Sequence, residues 1–183
     1  MGESNMRTQY CWDKALLFLV MAVLLAPAVA SCSQEELDDA ARKDKVFAMY
    51  DEYSEDFPGV RDISPEDALA LDESERVFVD VRPEEERAVS IIPGAISANE
   101  FLADPASYSS QTVIAYCTIS YRSGEFAEEL DGQGVEVVNL RGGLLGWTHA
   151  GGPLVDDQGR ATTTLHVFGS RWDLAPLSHE TVW

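Results

Sequence analysis

The chain has 183 residues and a formal net charge of −19, with 32 acidic residues against 13 lysines and arginines. A surface this acidic argues against nucleic acid as a partner and against electrostatic docking on anionic lipid. An anionic ligand would need a local positive site. Without the N-terminal apolar segment, roughly 150 residues remain, which is enough for one domain with its own core.

The N-terminal segment predicts export. Residues 15–30 are apolar, and as a helix they would span only about 24 Å, short of a bilayer core of about 30 Å. Pro27 interrupts the run and small residues end it, which is typical of a signal peptide. The following Val29-Ala30-Ser31-Cys32 resembles the lipobox of bacterial lipoproteins. We therefore expect residues 1–31 to be a signal peptide and Cys32 to be lipidated. The protein would then be anchored at the periplasmic face of the cell envelope, with the outer membrane favoured in a Gram-negative source.

The rest of the chain alternates between helical and extended patterns. A capping-box pattern at Ser33–Glu36 precedes helically spaced apolar residues, which predicts a helix to about residue 55. Ser64 followed by Pro65 predicts the start of a second helix. The later elements expected are strand 77–81, a turn at 92–95 with an extended piece to 96, a short helix at 99–102, strand 113–116, helix 123–130 ending at Gly132, strand 135–140 and a Gly-Gly turn leading into 142–147. This alternation predicts a parallel α/β sheet that binds ligands beyond the carboxyl ends of its strands.

Cys117 is the strongest candidate for a reactive residue. It directly follows the strand 113–116, and Arg122 and a predicted helix come shortly after it. A loop that leads into a helix N-terminus directs several backbone N–H groups at one point and forms an anion cradle. The helix dipole and Arg122 would stabilise the sulfur there as a thiolate. The alternative is that Cys117 is only a small buried apolar side chain.

The cysteine count strengthens the first interpretation. The chain has three cysteines, and Cys11 and Cys32 both belong to the predicted export region. Cys117 would therefore be the only ordinary thiol of the mature chain. It would have no partner for an intrachain disulfide, and the sequence shows no cluster for a zinc site.

Residues 61–155 resemble a single rhodanese domain. The residues that carry the resemblance are Ile63–Asp67, Asp80-Val81-Arg82 with Glu84–Glu86 behind it, Ile92–Ala95, Cys117 with Arg122-Ser123, and Gly142-Gly143 with Trp147. The resemblance implies a five-stranded parallel sheet flanked by helices and a cysteine that carries sulfane sulfur as a persulfide. It implies no cofactor. The expected partners are a small sulfur donor, a thiol acceptor and an unidentified periplasmic protein.

The resemblance also assigns roles by position. Cys117 is the expected sulfur acceptor, and Arg122 closes the loop. The expected persulfide cradle is the backbone of Thr118, Ile119, Ser120, Tyr121, Arg122 and Ser123. Residues 32–60 would be a lipidated N-terminus with a helical tether, and residues 156–183 a C-terminal extension.

The loop departs from the rhodanese pattern. Ile91 stands where many members have a histidine, and Ser120 stands where many have a glycine. Ser120 would be strained if the position required a positive φ. The loop also lacks the additional arginine or lysine that thiosulfate-using members often have, which predicts poor use of thiosulfate.

Other polar and aromatic residues are interpreted as structural. Asp80 is expected to cap a turn, and Arg82 to pair with Glu85 or Glu86. His166 is expected to be structural, with the option that it packs near the cradle. Trp147 and Trp172 are expected to be packing residues rather than ligand platforms.

Three functions compete. The first is a sulfurtransferase that uses a Cys117 persulfide. The second is a phosphatase or arsenate reductase, which in related folds has five residues between cysteine and arginine, whereas this loop has four. The third is a non-enzymatic sulfur-binding or sensing module, which the missing second cation favours. A mass gain of one sulfur atom on Cys117 would separate these functions.

Overall fold

Five parallel strands form the central sheet of the computed structural model, which describes residues 36–183. The strands are β1 (Asp62–Ile63), β2 (Arg76–Asp80), β3 (Ile96–Ser97), β4 (Thr112–Tyr116) and β5 (Val138–Leu140). Their order is β1-β5-β4-β2-β3, and every pairing is parallel. The predicted α/β fold is thus confirmed, with β4 in the middle of the sheet.

Six α-helices connect and flank these strands in the described part of the chain. They are α1 (Asp39–Ser54), α2 (Pro65–Ala70), α3 (Glu84–Arg87), α4 (Ala98–Ala103), α5 (Tyr121–Asp131) and α6 (Gly143–His149). The predicted cap of α2 is present, since the Ser64 hydroxyl accepts the Asp67 N–H at 3.0 Å. β5 is shorter than predicted because the Val135 N–H bonds to the Leu130 carbonyl in the turn after α5.

Helix α1 does not begin at the predicted capping box. Its N-cap is Asp38, whose carboxylate accepts the Ala41 N–H at 2.8 Å. Ser33, like Cys11, Cys32 and the predicted signal peptide, lies outside the described residues. Within residues 36–183, no helix has the length and apolar character needed to cross a membrane.

Both faces of the sheet are buried, which explains why its strands are continuous apolar runs. Successive residues of a strand point to opposite faces. On one face, Val79 and Ala115 pack with Phe101 of α4 and Ala127 of α5. On the other face, the sheet residues Phe78, Ile114, Tyr116 and Leu140 pack with Val46 of α1, Ala68 of α2 and Leu144 of α6.

The segments before and after the sheet belong to the same compact unit, Leu37–Trp183. Helix α1, which lies in the predicted helical tether, buries Val46 and Tyr50 and packs on the domain. The C-terminal segment forms β6 (Leu154–Val155), β7 (Ala161–Thr162), β8 (Thr164–His166), a 3-10 turn at Ser170–Trp172 and β9 (Glu180–Val182). β6 pairs antiparallel with β7, and β8 pairs parallel with β9. Leu165 and Leu174 bring this segment into the core.

Candidate active site

Cys117 lies at the carboxyl end of the central strand β4. It is only 2% exposed, and it is the free cysteine of the described residues. The loop behind it is short, because α5 begins at Tyr121, two residues earlier than predicted. Arg122 therefore lies in the first turn of α5 instead of in the loop.

Six consecutive backbone N–H groups directly follow this position. From Thr118 to Ser123, none of them donates a hydrogen bond to any group within residues 36–183. The positive end of the α5 dipole lies at the same point. Unpaired amides at a helix N-terminus favour an anion. The predicted cradle residues are thus brought together around Cys117 in an arrangement that can stabilise an anionic sulfur.

Helix α6 holds the loop from the other side. The Leu144 N–H donates to the Cys117 carbonyl at 2.8 Å, and the Leu145 N–H donates to the Thr118 carbonyl at 3.1 Å. The approach requires glycine, because a Cβ on Gly143 would overlap the Cys117 carbonyl oxygen. Gly143 also has a φ of +57°, which favours glycine.

Ser120 has a left-handed conformation, which is the condition under which the sequence analysis expected strain at this residue. Its φ is +78°, and its hydroxyl donates to the Leu140 carbonyl. The Ser120 carbonyl accepts the Asn139 side-chain N–H at 2.9 Å, and the Asn139 Oδ1 accepts the Ser123 hydroxyl at 2.7 Å. These bonds to β5 offset the conformational cost of a non-glycine residue here.

Arg122 is bound to a buried carboxylate. Its Nη1 donates to Glu86 Oε1 at 2.7 Å and its Nη2 donates to Glu86 Oε2 at 2.9 Å, while Thr118 Oγ1 lies 3.4 Å from Glu86 Oε2. Burial acts to raise the pKa of Glu86, but the hydrogen bonds and charge of Arg122 outweigh it, so this pKa is lowered. Arg122 therefore faces the site as half of a nearly neutral ion pair.

Arg82 pairs with Asp80, so the prediction that it pairs with Glu85 or Glu86 is wrong. Arg82 donates to both carboxylate oxygens of Asp80, at 2.9 and 2.7 Å, and to the Ser90 carbonyl at 2.7 Å. Both side chains of this pair are fully buried. Glu86 forms an ion pair with Arg122 instead, and Glu85 is exposed. The Asp80–Arg82 pair thus closes the turn after β2 and leaves no group free for acid–base chemistry.

A pocket of about 320 Å³ opens above Cys117. Its lining is largely aromatic and apolar. The lining residues are Tyr53, Cys117, Thr118, Ile119, Tyr121, Arg122, Phe168 and Trp172. Trp172 packs against the core, as expected, and also lines this pocket, whereas Trp147 is buried in the core. His166 does lie near the cradle, with its Nδ1 3.9 Å from Glu86 Oε2.

Several residues of this site carried no signal in the sequence. The sequence places Glu86 within the rhodanese resemblance and as a possible partner of Arg82, but it predicts no site role for Glu86, Tyr53 or Phe168. Tyr53 comes from α1 and Phe168 comes from the C-terminal segment, so only the folded chain brings these two residues to Cys117. Within residues 36–183, no cluster of three or more metal-ligating side chains is present.

Comparison with known proteins agrees with this geometry. The family profile of the rhodanese-like domain matches residues 64–150. The structure of a thiosulfate sulfurtransferase from Pseudomonas aeruginosa is similar to the chain at 28% identity, with a TM-score of 0.52. The match covers 64% of this chain and 24% of that one, so the chain spans about a quarter of that sulfurtransferase.

Two further solved structures are similar to a smaller share of this chain and with lower TM-scores. A protein of unknown function from Rhodopseudomonas palustris, described as a possible tyrosine phosphatase, has 27% identity over 59% of this chain and 92% of its own, with a TM-score of 0.45. A protein from Bacillus halodurans has 24% identity over 61% of this chain and 87% of its own, also with a TM-score of 0.45. No curated protein matches the chain. Residues 64–150 are thus similar to the rhodanese-like domain, and the five-stranded parallel sheet agrees with that similarity.

Proposed function

We propose that the protein is a sulfurtransferase that carries sulfane sulfur as a persulfide on Cys117. The observation that carries this proposal is the set of unpaired backbone N–H groups from Thr118 to Ser123 around a single buried thiol. A persulfide places an anionic sulfur one bond beyond the cysteine sulfur. Amide donors and the α5 dipole stabilise that charge without a metal or a cofactor.

The reaction has two displacement steps. The Cys117 thiolate attacks the outer sulfur of the donor, a new S–S bond forms on Cys117, and the bond to the rest of the donor breaks with its electron pair. An acceptor thiolate then attacks the outer sulfur of the Cys117 persulfide and takes that sulfur. Cys117 leaves as the thiolate, so no net oxidation of the protein occurs.

The loop geometry supports a sulfur cradle over a phosphatase cradle. Four residues separate Cys117 from Arg122, and α5 begins within this interval, which keeps the loop small. Both end donors of the guanidinium bind Glu86, which leaves less of Arg122 for the oxygens of a tetrahedral dianion. A single outer sulfur needs only the amides.

The experiment is mass spectrometry of the protein after incubation with a sulfane-sulfur donor, followed by single-turnover transfer to a thiol. We expect the wild type to gain one sulfur atom on Cys117 and the Cys117→Ser variant to gain none. Arg122→Lys should transfer about tenfold to hundredfold more slowly, because lysine cannot make the paired contacts with Glu86. Equal sulfur transfer by Cys117→Ser and the wild type would refute the proposal.

We further propose that the protein is anchored by lipid on Cys32, on the basis of the apolar run and the lipobox-like sequence. Metabolic labelling with palmitate in a bacterial host should label the wild type and not the Cys32→Ala variant. Cys117→Ser is the matched control, since it removes a different thiol and should keep the label. Persistent labelling of Cys32→Ala would contradict the anchor.

A further inference from the structure

Three aromatic residues that line the Cys117 pocket come from outside the segment that the rhodanese-like profile matches. Residues 64–150 supply Cys117 and its loop. Tyr53 comes from α1, and Phe168 and Trp172 come from the C-terminal segment. Both flanking segments of the domain thus converge on the same cavity.

The aromatic side chains of this wall contact one another. The Tyr53 and Tyr121 rings pack edge to face with centroids 5.5 Å apart, and Phe168 and Trp172 pack in the same way at 5.2 Å. The Arg122 guanidinium lies 5.4 Å from the Phe168 ring centroid. Such contacts favour a fixed arrangement of the rings.

Phe168 is held in an unfavourable backbone conformation. Its φ is +57°, which is rare for a large side chain, and its N–H donates to His166 Nδ1 at 3.2 Å. The residue is 58% exposed, so burial in the core does not account for its position. Strained residues of this kind cluster at ligand sites. Here the strained backbone places an aromatic ring at the pocket beside Arg122.

The charge of the pocket does not suit a small dianion. Arg122 lines it, but the bidentate bond with Glu86 nearly cancels that charge, and the net charge of the chain is −19. The cradle amides can bind one anionic sulfur, but bringing a second negative charge against the aromatic walls removes hydration that a single paired arginine does not replace. An organic group, by contrast, gains from contact with the same walls.

We infer that the preferred sulfur donor is an organic sulfane-sulfur compound that carries an aromatic or similarly apolar group and at most one negative charge. This inference rests on the proposed sulfurtransferase function. For a persulfide donor R–S–SH, the Cys117 thiolate attacks the outer sulfur, Cys117–S–SH forms, and R–S⁻ leaves. Proton transfer then yields R–SH and the anionic Cys117 persulfide. The R group occupies the pocket formed by Tyr53, Phe168 and Trp172.

A matched set of stable donors tests this specificity. Benzenethiosulfonate and methanethiosulfonate carry the same charge and the same reacting group and differ in the ring, while thiosulfate is a dianion. Each gives its outer sulfur to Cys117 and releases a sulfinate or sulfite. The rate for each donor is divided by its rate with a free small-molecule thiol, which removes intrinsic reactivity. We expect the normalised kcat/KM to be at least about tenfold higher for benzenethiosulfonate than for methanethiosulfonate, and lowest for thiosulfate.

Variants of the pocket wall assign the preference to Phe168. Phe168→Ala should lower kcat/KM for benzenethiosulfonate about threefold to tenfold and leave the methyl donor unchanged. Phe168→Tyr should retain the preference because it keeps the ring. Leu177→Ala is the control, since Leu177 is an exposed residue of the same segment that does not line the pocket. An equal loss with all three donors in Phe168→Ala would overturn the inference.

Binding to a variant without the thiol separates this inference from the function on which it rests. Benzenesulfonate should bind Cys117→Ser in a calorimetric titration, and methanesulfonate should bind at least about tenfold more weakly. If the ring binds but no donor loads sulfur on the wild type, the sulfurtransferase function is wrong and the pocket preference stands. If sulfur loads equally from all donors and the ring does not bind, the function stands and the donor class is wrong.

Discussion

Two helix N-termini meet at the Cys117 loop, and their first backbone N–H groups differ in whether they have an acceptor. At α6, the Leu144 and Leu145 N–H groups are occupied by the carbonyls of Cys117 and Thr118. At α5, the N–H groups from Tyr121 to Ser123 have no acceptor within residues 36–183. The first terminus therefore positions the loop, and the second remains open to a ligand.

The residue that precedes each helix shows the same contrast. Gly142 before α6 has φ +69°, and Ser120 before α5 has φ +78°. A Cβ on Gly142 would lie 2.9 Å from Val46 Cγ1, so the packing against α1 excludes a side chain. Ser120 has room for its hydroxyl, which bonds to the Leu140 carbonyl. Close packing, rather than the positive φ alone, decides where glycine is required.

Gly143→Ala tests the N-terminus of α6, whose amides bind the Cys117 loop. It should have the largest effect on both stability and sulfur transfer. The new Cβ overlaps the Cys117 carbonyl oxygen, so the two bonds between α6 and the loop cannot form as they do now. We expect the free energy of unfolding to fall by about 2–4 kcal/mol, the sum of a positive-φ cost and overpacking. Sulfur transfer should fall at least about a hundredfold, because a displaced loop misplaces the thiolate.

Gly151→Ala is the matched control for this variant. Gly151 also has a positive φ, of +79°, but a Cβ there meets nothing within 4 Å. It should cost only about 1 kcal/mol in urea unfolding and leave sulfur transfer unchanged. If the two variants lost equal activity, α6 would not be the element that positions the loop.

Glu86→Gln tests how the first turn of α5, which contains Arg122, is held in place. Losing one charged partner of the bidentate pair should lower the free energy of unfolding at pH 7 by about 1–3 kcal/mol. The folded pKa of Glu86 lies below its ordinary value of 4.5, so its stabilisation is fully present above that value. It is lost as pH falls through the lower folded pKa. The difference between wild type and variant should therefore shrink in acid.

Urea unfolding at pH 7 and at successively lower pH measures this difference in the free energy of unfolding. Glu85→Gln is the control. Glu85 is exposed and forms no ion pair with the residues that the structure describes, so its removal should change little at any pH. A Glu86→Gln deficit that stayed constant into acid would mean that the pair with Arg122 does not stabilise the fold.

Ser120→Gly should have the smallest effect, and its comparison with Ser120→Ala refines the contrast with Gly142. Ser120→Gly removes about 1 kcal/mol of conformational cost and loses one hydrogen bond of similar value, so its stability should lie within about 1 kcal/mol of the wild type. Ser120→Ala keeps the cost and loses the bond, so it should be less stable by about 1–3 kcal/mol. Thermal unfolding of both variants measures this order. Ser120→Ala as stable as the wild type would show that the hydroxyl does not hold the loop, and Ser120→Ala more stable than Ser120→Gly would show that the positive φ carries no cost.

The sequence alone determined the features that depend on near neighbours. It predicted the apolar strand before Cys117 and the Ser64 cap with Pro65 behind it. It also predicted strain at Ser120 if that position required a positive φ. Each arises from propensities, capping or φ preferences that act over a few residues. The parallel sheet followed from the alternation of elements and from the rhodanese resemblance.

Only the tertiary structure decided the partners and the walls of the site. Arg122 pairs with a carboxylate 36 residues away, and no periodicity distinguishes Glu86 from Glu84 or Glu85. Tyr53 and Phe168 reach Cys117 because α1 and the C-terminal segment pack on the same face of the sheet. Such contacts depend on which elements become neighbours when the core is buried, and that choice is made by the packing of the whole domain rather than by any local pattern.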